Sequence, residues 1–232
     1  MLNINAYSGL GSIKVKPPSP PGSPIIAFLA ENVTANAWAN SGSGGATYNA
    51  TAIGASLIGS PIGDFNCINN DFDIASEYVL PNTAIIAALV RLQVAGTGAI
   101  TIGQKSATNG GNSAFYCGRS NTPAYGTLRL YDDAGNAITT SYGVSEFSDS
   151  EGLRIIADRT GATTADLYFN GELLSDSGVL SSSVRLGKIG TSYAGFPFTL
   201  SGSFFHEILV YQDRSIAWDQ IDAYFKAKFM IP

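Results

Sequence analysis

Residues 203–229, SFFHEILVYQDRSIAWDQIDAYFKAKF, decide the fold of this chain. Their first nine residues, Ser203–Tyr211, are mostly apolar and aromatic, as is typical of a strand. After Ser215 the spacing changes, and apolar side chains recur every 3.6 residues, at Ala217, Trp218, Ile221, Tyr224, Phe225 and Phe229. Ser215 is the predicted N-cap, with Asp219 in the first turn and Lys226 and Lys228 near the C-terminal end. The stretch therefore predicts a strand followed by an amphipathic helix that packs on a sheet.

Short β-strands separated by Gly, Asn, Asp and Ser are predicted from residue 25 onward. Asn170-Gly171, between LYF and ELL, favours a type I′ hairpin turn, and 132–136 (DDAGN) predicts a second hairpin loop. The other predicted strands are Ile25–Ala30, Ile53–Leu57, Phe65–Ile68, Ala84–Val94, Ala99–Ile102, Ala114–Cys117, Thr127–Tyr131, Ala137–Thr140, Leu153–Asp158, Ala165–Phe169 and Val184–Ile189. The expected fold is all-β, in one domain over residues 25–232.

The first 24 residues differ from the rest and are predicted to form an N-terminal arm. Residues 17–24, PPSPPGSP, contain five prolines and predict an extended strap outside any central sheet. Residues 1–16 have too few apolar neighbours to bury their own side chains. Two interpretations stay open: a disordered terminus, or a segment that orders against another subunit or a larger assembly.

Composition excludes several classes of protein. Of 232 residues 45% are hydrophobic and only 13% are charged, with a net charge of −5, so the chain is not intrinsically disordered. Its 13 basic residues are scattered, so we expect no nucleic-acid partner. No apolar run reaches the roughly 20 residues of a transmembrane helix, and the N-terminus as written is not a secretory signal. We therefore expect a chain that folds in the cytosol and has no membrane partner, unless a leader is missing.

The few residues suited to metal binding are too dispersed to predict a metal site. Cys67 and Cys117 lack zinc-ligand spacing and are expected to be small buried residues, with a disulfide as the alternative. His206 is the only histidine and is expected to be a half-buried strand residue. No single loop gathers the oxygen ligands that calcium would need. The available ones are at Asn69, Asn70, Asp71, Asp73, Asp132 and Asp133. We expect no cofactor and no metal.

The strand order, the hairpin and the terminal helix together resemble the concanavalin A-like lectin/glucanase superfamily, particularly its laminin-G-like members. The resemblance covers most of residues 25–229. It rests on AFLAENVTANAWANSGSGGATYNAT, on FNCINNDFDI followed by TAIIAALVRLQ, on LYFNGELLSDSG and VRLGKIGTS, and above all on the closing strand and helix. It implies a two-sheet antiparallel jelly-roll sandwich. It does not fix a function, because this sandwich hosts lectins, glycosidases, adhesion modules and virion proteins.

Asp71, Asp73 and Glu77 form the only candidate for glycosidase chemistry, since they would share one face of a strand. Glucanases of the superfamily carry Glu-x-Asp-x-(x)-Glu. Here Asp71 stands where the first Glu belongs, and Glu77 comes too late. The favoured interpretation is a turn at Asn69–Asp71 before an edge strand, and we expect no enzyme.

Sugar binding would need aromatic and amide side chains at loop tips. The loops 107–113 and 190–197 have this composition, and the candidate ligand-binding residues are Asn109, Asn112, Tyr116 and Tyr193. For each loop, the favoured interpretation is a surface turn with a core-facing aromatic residue.

The leading functional hypothesis is a non-enzymatic bacteriophage virion protein, either a capsid decoration or a tail or fibre component. A virion protein is made in the host cytoplasm without a signal peptide. Its arm, residues 1–24, would dock on other virion proteins or on its own subunits, and we expect a homo-oligomer. The alternatives are a module that binds a cell-surface glycan and a glycoside hydrolase.

Overall fold

The computed structural model describes residues 17–59, 66–92, 99–105, 113–121, 124–143, 152–190 and 204–232. Within these ranges the chain forms fifteen strands, all paired antiparallel, and one α-helix. The elements are β1 (Ile26–Val33), β2 (Ala37–Asn40), β3 (Ala50–Gly59), β4 (Asn66–Leu80), β5 (Ile85–Arg91), β6 (Ala99–Gly103), β7 (Ala114–Asn121), β8 (Ala124–Tyr131), β9 (Ala137–Gly143), β10 (Leu153–Arg159), β11 (Ala165–Phe169), β12 (Glu172–Leu173), β13 (Asp176–Ser177), β14 (Val184–Ile189), β15 (Phe204–Tyr211) and α1 (Trp218–Phe229).

The strands form two layers around one core, which confirms the predicted all-β sandwich. The back layer contains β11, β10, β5, β15 and β1, and the front layer contains β4, β14, β6, β7, β8 and β9. Alternate side chains of both layers meet in the core, where the rings of Tyr142 and Phe169 stack 4.1 Å apart. β5 is buried on both faces, since Ile86 and Ala88 face this core while Ile85 and Ala87 face the helix. This explains its unbroken apolar sequence.

The sheet ends on two very short strands. In hydrogen-bonding order, β12 lies at one edge and β13 at the other, and each has two residues. The chain between them crosses from β11 in the back layer to β9 in the front layer.

The terminal helix packs on the outer face of the back layer, as predicted. Four of its side chains are buried there, and each contributes roughly 1.5–3 kcal/mol of hydrophobic stabilisation: Ile221, Tyr224, Phe225 and Phe229. The predicted cap is wrong, because Ser215 lies before the helix and its N–H donates to Asp213 at 2.9 Å. The N-cap is Ala217, whose N–H donates to Gln220 Oε1 at 3.1 Å. No helix in the described part of the chain is long and apolar enough to span a bilayer.

A β-bulge in β15 places two titratable side chains under the helix. Phe205 pairs with Val90 and Glu207 with Leu89, which leaves His206 as an extra residue. His206 is completely buried, not half-buried as predicted, and its ring lies 6.0 Å from that of Phe229.

Glu207 belongs to a group that is buried except for Glu31 and that we call the Lys228 cluster: Glu31, Glu207, Tyr224 and Lys228. Lys228 Nζ donates to Glu31 Oε2 at 2.8 Å and to the Tyr224 hydroxyl at 3.1 Å, and it forms an ion pair with Glu207 Oε2 at 2.8 Å. The Tyr224 hydroxyl donates to Glu207 Oε1. The cluster ties α1 to β1 and β15.

The predicted turn at Asn69–Asp71 is wrong. These residues lie inside β4, which has 15 residues and pairs with β3 on one side and β14 on the other. Asn69 pairs with Ser56, and Asp71 pairs with Ile53. Ladder hydrogen bonds on the β3 side replace the local bonds that Asn and Asp would make in a turn.

Both predicted hairpins are confirmed. Asn170 and Gly171 have φ of 51° and 86°, the left-handed values that a type I′ turn requires. Gly135, in the loop between β8 and β9, has φ of 87°.

Cys117 is a buried free thiol, so the disulfide alternative is not formed. Burial raises the pKa of the Cys117 thiol to about 12.

The proline strap, residues 17–24, lies against the sandwich at its C-terminal half. The Tyr211 hydroxyl donates to Pro21 O at 2.9 Å, and Ser43 N–H donates to Pro24 O at 2.8 Å. Residues 17–19 are exposed. The division into an arm and a domain stays a prediction.

Candidate functional site

Two carboxylates of the glycosidase hypothesis, Asp73 and Glu77, lie on the outer face of the front layer among cations. Asp73 lies 4.0 Å from Lys105 Nζ and 3.8 Å from Lys188 Nζ. Glu77 accepts a hydrogen bond from Lys105 N–H at 2.7 Å and lies 3.4 Å from Arg185 Nη1. The side chain of Asp71 is outside the described part of the chain.

Arg185 extends this ion-pair network to the turn after β8. Its Nε lies 3.0 Å from Asp133 Oδ2, and this hydrogen bond is the main cause that raises the pKa of Arg185. Asp73 and Glu77 thus serve in a network that joins β4, β14 and that turn.

Asp132, one of the possible calcium ligands, is occupied by backbone donors. It accepts hydrogen bonds from the N–H groups of Ala134, Asn136, Ser181 and Ser182 at 2.6–3.0 Å. Burial acts to raise the pKa of Asp132, but the N–H groups outweigh it and lower the pKa. The carboxylate anchors a turn, and no described group of three His, Cys, Asp or Glu residues could hold a metal ion.

A second arrangement on the outer face of the front layer consists of Tyr116, Arg129 and Tyr131, which we call the Tyr–Arg–Tyr platform. Tyr116 in β7 lies directly opposite Arg129 in β8. The Arg129 guanidinium carbon lies 5.9 Å from the Tyr116 ring centroid and 6.0 Å from that of Tyr131, and Arg129 Nη1 donates to the Tyr131 hydroxyl at 2.6 Å. All three side chains are partly exposed. The cation is held between two rings, at distances where cation–π attraction operates.

Two threonines flank the platform. Thr101 in β6 pairs with Tyr116, and Thr139 in β9 pairs with Arg129. Beside the ring of Tyr116 lies Gly118, where a Cβ atom would collide with the Tyr116 hydroxyl. The glycine thus leaves space for the ring to lie along the sheet.

Arg129 differs from the other cations on this face. Lys105, Arg185 and Lys188 each lie within 4.0 Å of a carboxylate. In the described ranges no carboxylate lies that close to Arg129, and its Nε has no hydrogen-bond partner. The Arg129 side chain is partly exposed, whereas this Nε atom is buried.

The structure brings one of the four predicted ligand-binding residues into this platform, Tyr116. Asn109, Asn112 and Tyr193 lie outside the described residues. The sequence analysis missed Arg129 and Tyr131, although alternation along Thr127–Tyr131 put both on one face of a strand. The missing information was the register of β7 against β8, which pairs Tyr116 with Arg129.

A groove of about 430 Å³ lies between the β4–β5 turn, the β10–β11 turn and residues 181–183. Asn82, Thr163 and Ser181–Ser183 supply its polar groups. Arg159 forms part of its wall, donating to Leu80 O at 2.8 Å and Ala162 O at 2.9 Å, but is only 1% exposed. The described lining residues therefore present hydroxyl and amide groups to a ligand, and none of them presents an exposed charge.

Comparison with known proteins finds likeness in fold only. No protein-family profile matches the chain, and no curated protein matches its sequence. Among solved structures, the botulinum neurotoxin type G receptor-binding domain aligns with a TM-score of 0.52 and 17% identity over 88% of this chain and 51% of that one. The receptor-binding domain of botulinum neurotoxin D gives 0.52 and 14% over 87% and 52%. The chain shares their fold.

A third similar structure is the serotype D ligand-binding domain in complex with N-acetylneuraminic acid, with a TM-score of 0.50 and 14% identity over 88% of this chain and 50% of that one. This chain thus spans about half the length of the structures it resembles. The β-rich, lectin-like fold agrees with the predicted resemblance to lectin-like sandwiches.

Proposed function

We propose that the chain is a non-catalytic carbohydrate-binding module that recognises a glycan through the outer face of its front layer. The observation that carries the proposal is the Tyr–Arg–Tyr platform, which offers two aromatic rings, a guanidinium and neighbouring hydroxyl groups on a rigid sheet. Aromatic faces pack against the apolar face of a sugar ring, and polar groups at their edges bind its hydroxyls. The fold it shares with receptor-binding domains, one of them in complex with a sugar, supports this proposal.

The ion-pair network of Asp73 and Glu77 supports binding without catalysis. Both carboxylates are engaged by cations of neighbouring strands, so neither is positioned as a free acid or nucleophile. Incubation with β-glucans should therefore give the same background hydrolysis for the wild type and for Asp73→Asn. Hydrolysis that falls on this substitution would show that the chain is an enzyme.

A glycan array, with and without calcium, tests the binding proposal. We expect discrete hits that do not depend on calcium and that weaken at least tenfold in Tyr116→Ala. Asn82→Ala, in the hydroxyl-lined groove, is the matched control and should keep wild-type binding. An array without hits, or equal losses in both variants, would contradict the proposal.

A virion setting is the second candidate, and the proline strap is the observation that favours it. The strap is held by Tyr211 and Ser43, while its first residues, 17–19, are exposed. We propose that residues 1–16 dock on a neighbouring subunit or another virion protein, with the sandwich displayed outward. An extended strap loses little entropy on docking.

Removing residues 1–16 while keeping the strap tests this docking. The shortened chain should fold normally but lose its homo-oligomeric state, measured by light scattering, and its co-sedimentation with purified particles. Unchanged oligomerisation and unchanged particle binding would contradict the virion role. Array binding of the shortened chain should be retained, since the platform lies in the sandwich.

A further inference from the structure

The charge balance of the front layer singles out Arg129. The network of Asp73, Glu77, Lys105, Arg185 and Lys188 is internally paired. Arg129 makes one hydrogen bond, to a neutral phenol, and lies against two rings. The Arg129 side chain is partly exposed and has no carboxylate partner among the described residues, and a guanidinium matches a planar, two-oxygen acceptor.

We propose that the Tyr–Arg–Tyr platform binds a saccharide that carries a carboxylate, with Arg129 as its partner. The proposal rests on the carbohydrate-binding function proposed above and names the ligand class of that site. The carboxylate accepts hydrogen bonds from the guanidinium, in the fork geometry that Arg forms with carboxylates. The rings of Tyr116 and Tyr131 pack against the pyranose.

Thr101 supplies a second and independent observation beside the platform. Its hydroxyl is 1% exposed, and Thr101 Oγ1 has no hydrogen-bond partner within the residues that the structure describes. Unpaired buried polar groups are uncommon in folded proteins and call for an explanation. Thr101 is the cross-strand partner of Tyr116, so this buried donor and acceptor lies in the sheet beside the platform.

The overall charge of the chain limits how the ligand is attracted. The net charge of −5 repels an anion at long range, but at physiological salt this field is screened beyond about 8 Å. Selectivity for a carboxylate must therefore arise from short-range hydrogen bonds to Arg129. Charge-assisted hydrogen bonds of this kind correspond to roughly a tenfold to hundredfold preference over a neutral isostere.

Titration with matched monosaccharides tests the proposal. The probes are glucose, glucuronic acid and methyl glucuronate, which differ at C6, together with N-acetylneuraminic acid as an acidic sugar of a different skeleton. Binding is followed at pH 7 by ligand-observed NMR. The wild type should bind one of the two acidic sugars at least tenfold more tightly than glucose, and esterification should remove the preference if glucuronic acid is the better ligand.

Three variants separate the role of Arg129 from folding. Arg129→Gln should lower the affinity for the acidic sugar at least tenfold and bring the ratio of acidic-sugar affinity to glucose affinity close to one. Arg129→Lys, which keeps the charge but loses the fork, should retain part of the preference. Asn82→Ala is the control, and thermal unfolding of each variant verifies that it folds.

Each outcome bears on one of the two proposals. Equal affinity for glucose and both acidic sugars, or a preference that persists in Arg129→Gln, would overturn the acidic-ligand proposal while leaving a neutral-glycan module standing. If neither the array nor the titrations detect any sugar, the carbohydrate-binding function itself is wrong. Loss of preference in Arg129→Gln with retained glucose binding supports both.

Discussion

We expect the free energy of unfolding of the wild type to fall between pH 5 and pH 8. Replacing Glu207 by Gln should remove most of this fall. Glu207 and Glu31 share the single ammonium group of Lys228, and Glu207 is completely buried whereas Glu31 is partly exposed. Burial raises the pKa of Glu207 to about 7, and the attraction of Lys228 and the hydrogen bonds from Lys228 and Tyr224 only partly oppose this. Buried next to one cation and a second carboxylate, Glu207 is stabilised in its protonated form.

The pH dependence follows from the difference between the folded and unfolded chains. The folded-state pKa lies above the ordinary value of 4.5, so the folded state binds a proton more tightly than the unfolded state. The contribution of Glu207 to the free energy of unfolding is then fully present below pH 4.5 and is lost as the pH rises through 7. Since one pKa unit corresponds to about 1.4 kcal/mol, the full change is about 3 kcal/mol. Glutamine has the shape of the protonated acid and does not titrate.

Urea unfolding at pH 5, 6, 7 and 8 measures this difference. The wild type should lose stability relative to Glu207→Gln as the pH rises, by an amount approaching the full change at pH 8. Glu172→Gln, on the exposed strand β12, is the matched control and should follow the wild-type curve. Parallel curves for the wild type and Glu207→Gln from pH 5 to 8 would refute the assignment of the proton to Glu207.

Three further substitutions test local features of the fold. Gly171→Ala places a Cβ 3.0 Å from Asp222 Oδ2 at a φ of 86°. In the control, Gly135→Ala, the φ is 87° but the new Cβ meets nothing within 4 Å. Urea unfolding should therefore show a larger loss of stability for Gly171→Ala, about 1–2 kcal/mol. Asp132→Ala leaves four backbone N–H groups without their acceptor and should lower the free energy of unfolding by at least about 2 kcal/mol at pH 7. The wild type should lose the same stability as the pH falls through the lowered pKa of Asp132. A wild-type thermal midpoint in Asp132→Ala would contradict this role. Tyr211→Phe removes the hydroxyl that holds the proline strap, so proteolysis within residues 17–24 should become faster. The free energy of unfolding should fall by about 1 kcal/mol. An unchanged cleavage rate would show that this hydrogen bond does not hold the strap.

The features that sequence analysis predicted correctly are those with short-range causes. The turn at Asn170-Gly171 depends on two residues that adopt positive φ, and the face of α1 depends on a spacing of 3.6 residues. The closing strand, the helix and the all-β class followed from such patterns, whereas the two-sheet sandwich was predicted from the resemblance to lectin-like domains.

The features that it missed depend on partners distant in sequence. Asn69–Asp71 lie in a strand because β3 pairs with them, and Lys228 is buried because β1 and β15 supply its carboxylates. The bulge at His206 has no local signal, since only the pairing with β5 reveals the extra residue. Arg129 was overlooked for the same reason, because its importance lies in the residue across the ladder.

The two short edge strands restrict how copies of this chain could associate. A sheet grows by hydrogen bonding only where a strand has free N–H and C=O groups over several residues. In the described part of the sheet, β12 and β13 at the edges have two residues each. Many copies held close together, as in a particle, would therefore be protected from fusing their sheets into fibrils. Their contacts would fall to sheet faces, loops and the N-terminal arm, where side chains decide which partner fits.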